Sequence, residues 1–188
     1  MPSLSDDDRQ ALLRLARETI TQAVSLGQLP PQIPSGGVFA DKRGVFVTVH
    51  IREHLRGCIG VIQPDHPLGE SIVRCAASAA LQDSRFSPVQ THELIDLQLE
   101  ISLLSPPLPI LPEEIEIGRH GLLVIRGQQR GLLLPQVATE HHLTAEKFLA
   151  ETCRKAQLPL DAWREPDAQI FGFTCEVFSG DGEQPVAM

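Results

Sequence analysis

Strict alternation of apolar and polar residues over one short segment is the feature that most constrains the fold. In residues 97–103 (LQLEISL), leucine or isoleucine occupies every second position, and glutamine, glutamate and serine stand between them. Successive side chains of a β-strand point to opposite faces of a sheet, so this pattern predicts a strand with one buried face and one polar face. The buried face needs a covering layer, which we expect helices to supply.

Two neighbouring runs rich in β-branched residues predict an antiparallel hairpin. The runs are residues 44–50 (GVFVTVH) and 55–62 (LRGCIGVI), with a polar stretch between them. Hairpin-like spacing favours antiparallel pairing over a doubly wound sheet, so the predicted class is α+β, a mainly antiparallel sheet with flanking helices. Further predicted strands are residues 121–126, 131–134 and 170–178.

Three amphipathic patterns predict the flanking helices. Ser5 followed by Asp8 resembles a capping box, and apolar residues then recur at helical spacing until Gly27. A second pattern begins at Pro67 and is rich in alanine, which suits a helix packed closely against a sheet. The third follows Thr144, a residue type that caps helix N-termini.

Length and charge restrict the functional classes. At 188 residues and 42% hydrophobic content, the chain suits one domain, predicted over residues 1–188, with any subdomain seam near the proline-rich residues 105–113. The formal net charge of −8 opposes binding to phosphate backbones, so nucleic acid is not an expected partner. No apolar run reaches the roughly 18–20 residues that span a bilayer, and the acidic start does not resemble a secretory signal. We therefore expect a cytoplasmic protein without a membrane segment.

The sequence gives no sign of a metal or cofactor site. The four cysteines, Cys58, Cys75, Cys153 and Cys175, form no Cys-x-x-Cys pair. Residues 50–54 (HIREH) spell the His-x-x-Glu-His pattern of inverted zinc peptidases, but that chemistry requires a helix. Because these residues connect two predicted strands, we interpret them as a hairpin tip. We expect no metal and, without a Gly-x-Gly-x-x-Gly or P-loop motif, no cofactor.

A thiol between two glycines is the strongest candidate for chemistry. Cys58 lies between Gly57 and Gly60 on a predicted strand, where glycine is costly unless a ligand or another backbone approaches closely. If the strand is regular, Arg56 projects to the same face as Cys58 and favours the reactive thiolate. The alternative interpretation is a buried core cysteine, with glycines that merely accommodate neighbours.

The connector in residues 83–88 (DSRFSP) and two further side chains complete the candidate residues. Arg85 can bind a carboxylate or phosphate as an anion anchor, or it can pair locally with Asp83 in a structural turn. Glu100, on the polar face of the alternating strand, is a candidate general base or a solvated carboxylate. His120, near two glycines, is a candidate proton-transfer group or an ordinary loop residue.

Six segments, in order along the chain, resemble the successive signatures of the AMMECR-type domain family. They are LRGCIG (55–60), DSRFSP (83–88), EISLL (100–104), IGRHG (117–121), LPQVA (134–138) and CRKA (153–156). The resemblance runs from about residue 20 to residue 177, and the ordered series is far more specific than any one motif. Two departures concern local packing of the last helix: His142-Leu143 stands where the family usually has tryptophan, and Gln157 replaces a glycine.

The resemblance implies an α+β fold with a larger and a smaller subdomain around a cleft. It also implies, in prokaryotes, a three-part association with a Memo-like protein and a radical-SAM protein, in which members of this family are called AmmeMemoRadiSam system protein A. No agreed reaction belongs to the family, so the reaction has to be inferred from the residues themselves.

Two functions from different classes remain open at this point. In the first, the chain is a cysteine-dependent enzyme that acts on a small anionic molecule, with Cys58 as nucleophile or redox group and Glu100 or His120 transferring protons. Arg56 would stabilise the thiolate, and Arg85 would hold the anion. In the second, the same glycine-opened cleft is a noncatalytic binding site for a ligand or a partner protein.

Overall fold

A computed structural model describes residues 4–180 of the chain. Four α-helices and eight β-strands are present in these residues. The helices are α1 (Asp6–Leu26), α2 (Leu68–Leu81), α3 (Pro135–Glu140) and α4 (Ala145–Lys155). The strands are β1 (Val45–Ile51), β2 (His54–Val61), β3 (Leu97–Leu104), β4 (Leu108–Pro109), β5 (Gly121–Arg126), β6 (Gln129–Leu133), β7 (Gln169–Phe173) and β8 (Cys175–Gly180). No helix within residues 4–180 is both long and apolar enough to cross a bilayer.

The described residues divide into two compact units, each with its own sheet and core. Leu104–Glu176 forms the second unit, and the described residues before and after it form the first. The predicted seam near residues 105–113 lies just past the point where the chain enters the second unit. The ends of the predicted 1–188 domain, residues 1–3 and 181–188, lie outside the described part of the chain.

The first unit is a sheet of four strands covered on one face by α1 and α2. Its strand order is β2-β1-β3-β8, and β1 pairs antiparallel with both β2 and β3. The alternation predicted for residues 97–103 is confirmed, because the apolar residues of β3 lie in the core with those of β1 while Gln98 and Glu100 lie on the other face. The predicted α+β class with antiparallel pairing is therefore confirmed.

A β-bulge in the hairpin decides which side chains of β2 face the core. Ile51 pairs with His54 and His50 with Leu55, but the next residue, Val49, pairs with Gly57. Arg56 is the extra residue of the bulge. A bulge shifts the register by one residue. Because successive side chains of a strand point to opposite faces, the shift exchanges the faces on which the β2 side chains beyond the bulge lie.

The second unit is a smaller sheet with α3 and α4. Its strand order is β4-β7-β5-β6, and β5 pairs antiparallel with β6 and β7. Phe148 and Leu149 of α4 are fully buried against Leu122 and Val124 of β5. The unit therefore has an apolar core independent of that of the first unit.

The prediction of one final strand over residues 170–178 is wrong. Two strands occupy that region, β7 in the second sheet and β8 in the first, and Thr174 separates them. Ser105 Oγ accepts a hydrogen bond from the Thr174 N–H at 2.9 Å, and the Ser105 N–H donates to the Thr174 carbonyl at 2.9 Å. These two bonds replace the sheet pairing that a continuous strand would make at Thr174.

Candidate functional site

Cys58 lies on the outer face of the first sheet, opposite the buried face. Because of the bulge, Cys58 pairs with Thr48 of β1 and not with buried Val47. The Thr48 hydroxyl donates a hydrogen bond to Cys58 Sγ, with 3.3 Å between Oγ1 and Sγ. On its other side Thr48 pairs with Glu100 of β3. The three side chains form one line across three strands, the Cys58–Thr48–Glu100 row.

The peptide of Cys58 is held by a salt bridge from the connector after α2. The Cys58 N–H donates to Asp83 Oδ2 at 2.9 Å, and the Cys58 carbonyl accepts from Arg85 Nη2 at 3.2 Å. Arg85 Nε and Nη2 also donate to the Asp83 carboxylate at 2.9 and 2.6 Å. We call this arrangement the Asp83–Arg85 clamp. Since β2 is an edge strand, the clamp satisfies a donor and an acceptor that another chain could otherwise pair with.

The two members of the clamp differ strongly in exposure. The Asp83 side chain is 4% exposed and that of Arg85 is 57% exposed. Hydrogen bonds from Arg85 and from the backbone hold the pKa of Asp83 well below its usual range, against the opposing effect of burial. The hydrogen bond with Asp83, with a smaller contribution from Cys58, raises the pKa of Arg85. Arg85 therefore keeps its charge, and its Nη1 group takes no part in the clamp.

Arg56 lies in the bulge and pairs with Glu93. Its Nε and Nη2 donate to the two Glu93 oxygens at 3.2 and 2.8 Å, and both side chains are about 20% exposed or less. The hydrogen bonds from Arg56 lower the pKa of Glu93. The condition of a regular strand, on which the expected position of Arg56 beside the thiol depended, is not met.

Neighbouring atoms crowd the two glycines that flank Cys58. A Cβ atom on Gly57 would lie 1.9 Å from the Ala79 carbonyl oxygen, so α2 can approach β2 only where the strand has no side chain. A Cβ on Gly60 would lie 2.3 Å from the ring of Phe46. Close approach explains both glycines, and at both positions the approaching group belongs to the protein itself.

His120 lies in the second unit, in the turn before β5. Its Nδ1 accepts a hydrogen bond from the Glu116 N–H at 3.1 Å, and the His120 N–H donates to the Glu116 carbonyl at 3.0 Å. Both bonds close its own turn. Of the predicted site residues, hydrogen bonds join Cys58, Asp83 and Arg85, whereas Glu100 lies two strands from Cys58 in the same sheet, on the far side of Thr48.

Two of the remaining thiols lie in environments that suppress ionisation. Burial, with a smaller contribution from Cys58, raises the pKa of Cys75 on α2 to about 11. Burial also raises the pKa of Cys153 on α4. Cys58 differs from both because it is only partly buried.

The His-x-x-Glu-His pattern lies at the tip of the hairpin, as predicted. His50 and His54 belong to β1 and β2, and only Arg52 and Glu53 separate the strands. Within residues 4–180, no three His, Cys, Asp or Glu side chains are grouped closely enough to hold a metal ion.

Thr48 is the member of the site that sequence reasoning missed. Its only signal is its position on β1 between buried Val47 and Val49, which puts it on the outer face. Which residue of β2 it meets depends on the register, and the register depends on the bulge.

Comparisons with known proteins agree with one another. A family model described as AMMECR1 matches residues 13–178. A protein of Methanothermobacter thermautotrophicus is 42% identical, over 95% of this chain and 97% of that relative. A protein of Thermococcus kodakarensis is 40% identical, over 95% and 93%. The crystal structure of an uncharacterised protein from Pyrococcus horikoshii is similar, with a TM-score of 0.85, 39% identity, and 94% and 93% of the two chains covered.

Proposed function

The chain belongs to the AMMECR1 family, and we propose that it is a cysteine-dependent enzyme that acts on a small anionic molecule at Cys58. The hydrogen bond from Thr48 to Cys58 Sγ carries this proposal, because a hydroxyl directed at the sulfur can stabilise the negative charge that develops there when the sulfur acts as a nucleophile. Cys58 is only partly buried, which also supports a role in contact with a substrate.

Glu100 is the proposed proton acceptor. Thr48 and Glu100 are directly opposed on paired strands, where Cβ atoms lie about 5 Å apart, so a change of the Glu100 rotamer would bring its carboxylate to the Thr48 hydroxyl. For this transfer the Thr48 hydroxyl turns toward Glu100 and gives it its proton, while Thr48 Oγ1 takes the thiol proton. The proton that Thr48 has gained then lies toward the sulfur, so the hydroxyl donates to the thiolate and Glu100 holds the transferred proton. The sulfur lone pair then forms a bond to a carbonyl carbon of the substrate, the π electron pair of that carbonyl moves onto its oxygen, and the oxygen takes up the proton held by Glu100. We assign this step to Glu100 because the Nδ1 of His120 already accepts a hydrogen bond.

Arg85 is the proposed anion anchor. Its Nη1 group is outside the clamp and its side chain is 57% exposed, so two N–H donors are available to a carboxylate or phosphate. The guanidinium also lies over the Phe86 ring, with its carbon 5.3 Å from the ring centre, which helps to fix its plane. Arg85 Nη2 donates to the carbonyl of Cys58 itself. An anion bound to Arg85 would therefore lie next to the residue that carries the sulfur.

We expect Cys58 to be alkylated faster than Cys75 and Cys153 in the native protein at pH 8. With a pKa of about 11, Cys75 has a thiolate fraction of only about one in a thousand at that pH. Limited alkylation followed by peptide mass spectrometry measures the rates. Thr48→Val removes the hydrogen-bond donor to the sulfur and should lower the alkylation rate of Cys58 severalfold.

The choice of reagent also tests the anchor. Iodoacetate carries a carboxylate and iodoacetamide does not, so Arg85→Gln should lower the iodoacetate-to-iodoacetamide rate ratio at Cys58 about threefold. Arg52→Gln at the hairpin tip removes the same charge from the same unit and is the matched control. A Cys58 that reacts no faster than Cys75, with or without Thr48, would refute the thiolate mechanism.

A noncatalytic binding module that uses the same residues is the second candidate function. It is favoured by the pairing of both arginines with carboxylates, because a paired guanidinium suits rigid recognition of a ligand. This candidate would be favoured over the enzyme by two results together. The wild-type iodoacetate-to-iodoacetamide rate ratio at Cys58 would depend on Arg85, and Thr48→Val would leave the alkylation rate of Cys58 unchanged.

We further propose that the protein acts in the cytoplasm together with a Memo-like and a radical-SAM protein. The association is what the resemblance to this family implies, and the free thiols of Cys58, Cys75 and Cys153 suit a reducing compartment. Co-expression of the three proteins from one genome, followed by size-exclusion chromatography, tests direct contact. We expect co-elution, and separate elution at micromolar concentration would exclude a stable complex.

A further inference from the structure

A concave surface of the second unit, away from Cys58 in sequence, combines apolar walls with basic side chains. Its volume is about 560 Å³, within the range of about 300–1,000 Å³ usual for small-molecule sites. Leu133, Val137 and Leu143 supply the apolar part. His141, Arg154 and Lys155 supply the nitrogen donors. We call this surface the α3–α4 pocket.

Helix ends form much of this pocket, but their carbonyl groups are already used. At the end of α3, the carbonyls of Val137 and Ala138 accept hydrogen bonds from the backbone N–H groups of His141 and Leu143. At the end of α4, the carbonyls of Thr152, Cys153 and Arg154 accept from residues 156, 158 and 157, and the Gln129 side chain donates to the Gln157 carbonyl at 2.9 Å. A ligand therefore meets side-chain donors in this pocket more than free backbone acceptors.

The charge of the pocket is opposite to that of the whole protein. Glu151 is its one acidic side chain, and it pairs with Arg154. The exposed Lys155 therefore gives the pocket a net positive charge, whereas the formal net charge of the whole chain is −8. A cationic concavity on an acidic protein selects an anion by local contact, since the overall field repels it.

We infer that the α3–α4 pocket binds a small organic carboxylate that carries an aliphatic chain. The aliphatic chain would pack on Leu133, Val137 and Leu143, and the carboxylate would accept hydrogen bonds from Lys155 and Arg154.

Hexanoate is the probe for this inference, with acetate, hexanol and hexylamine as comparisons. In ¹H–¹⁵N correlation spectra of the full chain, we expect hexanoate to give saturable shifts at residues 141, 143, 155 and 157. Hexanol lacks the charge and acetate lacks the chain, so each should bind at least about tenfold more weakly. Hexylamine should give no saturable shift.

A charge reversal on α4 provides the matched control. Lys155→Glu should weaken hexanoate binding about tenfold, and Lys147→Glu, an exposed lysine on the same helix outside the pocket, should leave it unchanged. Both side chains are exposed, so both variants are expected to fold. Equal binding of hexanoate and hexanol, equal effects of the two variants, or no saturable shift at the pocket residues would each overturn the inference.

Discussion

Replacing Gly57 with valine should destabilise the protein by at least about 3 kcal/mol, a large part of the stability of a typical domain. Even the first atom of the new side chain would lie 1.9 Å from the Ala79 carbonyl oxygen and 2.8 Å from its carbonyl carbon. Both are backbone atoms of α2, so no rotamer change relieves the overlap. Either α2 moves off the sheet, and the contacts of Ala76 and Ala79 with the core are lost, or β2 separates from β1.

Urea denaturation followed by circular dichroism measures this loss, and Gly36→Ala is the matched control. A Cβ atom on Gly36 would have no neighbouring atom within 4 Å, and the φ of Gly36 is an ordinary −105°, so this substitution should change stability by less than about 0.5 kcal/mol. Gly57→Ala should already cost most of the effect, because the overlap involves Cβ itself. If Gly57→Ala is as stable as Gly36→Ala, there is room for a Cβ atom between Gly57 and the Ala79 carbonyl, and α2 does not pack against the bare backbone of β2.

The same close approach explains why Cys58 faces outward, which the sequence alone did not reveal. Starting from the pair of Ile51 and His54, a regular hairpin would put Cys58 opposite buried Val47 and beneath α2. Only glycine fits beneath Ala79, so the register with Gly57 on the buried face is the one that packs. The bulge at Arg56 provides the one-residue shift that this register needs.

Local patterns predicted the elements whose determinants are local. Alternation in β3 and the capping box of α1 are each set by residues a few positions apart, and both are present in the structure. The break at Thr174 is different, because its hydrogen-bond partner Ser105 is 69 residues away. No short pattern marks such a break, and the apolar alternation continues through it.

The candidate site also has features set by neighbouring residues and features set by residues distant in sequence. An ion pair between Asp83 and Arg85 was one of two interpretations of the connector, and it is present. Its attachment to the Cys58 peptide joins residues 25 positions apart and follows from where α2 ends relative to β2. The sequence therefore identified the residues of the clamp, and the packing of α2 determined what they hold.

The clamp itself leads to the second large effect: Asp83→Asn should cost about 2–4 kcal/mol at pH 7. Asparagine keeps the shape of the side chain, but it removes the negative charge that faces Arg85. It also replaces one of the two acceptor oxygens that serve Arg85 and the Cys58 N–H. The exposure of Arg85 moderates the loss, because water can solvate the freed guanidinium. Asp96→Asn removes the carboxylate of the exposed pair with Arg52 and should cost less than about 1 kcal/mol.

The dependence on pH separates this effect from a general loss of packing. The pKa of Asp83 in the folded protein lies below its unfolded value of about 3.9, so its stabilisation is fully present above that value and is lost as pH falls through the folded pKa. The difference in unfolding free energy between wild type and Asp83→Asn should therefore be constant from pH 7 to about pH 5 and shrink progressively below about pH 4. Urea titrations at a series of pH values measure it. A difference that stays unchanged down to pH 2.5, or one no larger than that of Asp96→Asn at pH 7, would show that the carboxylate charge does not hold the Cys58 peptide in place.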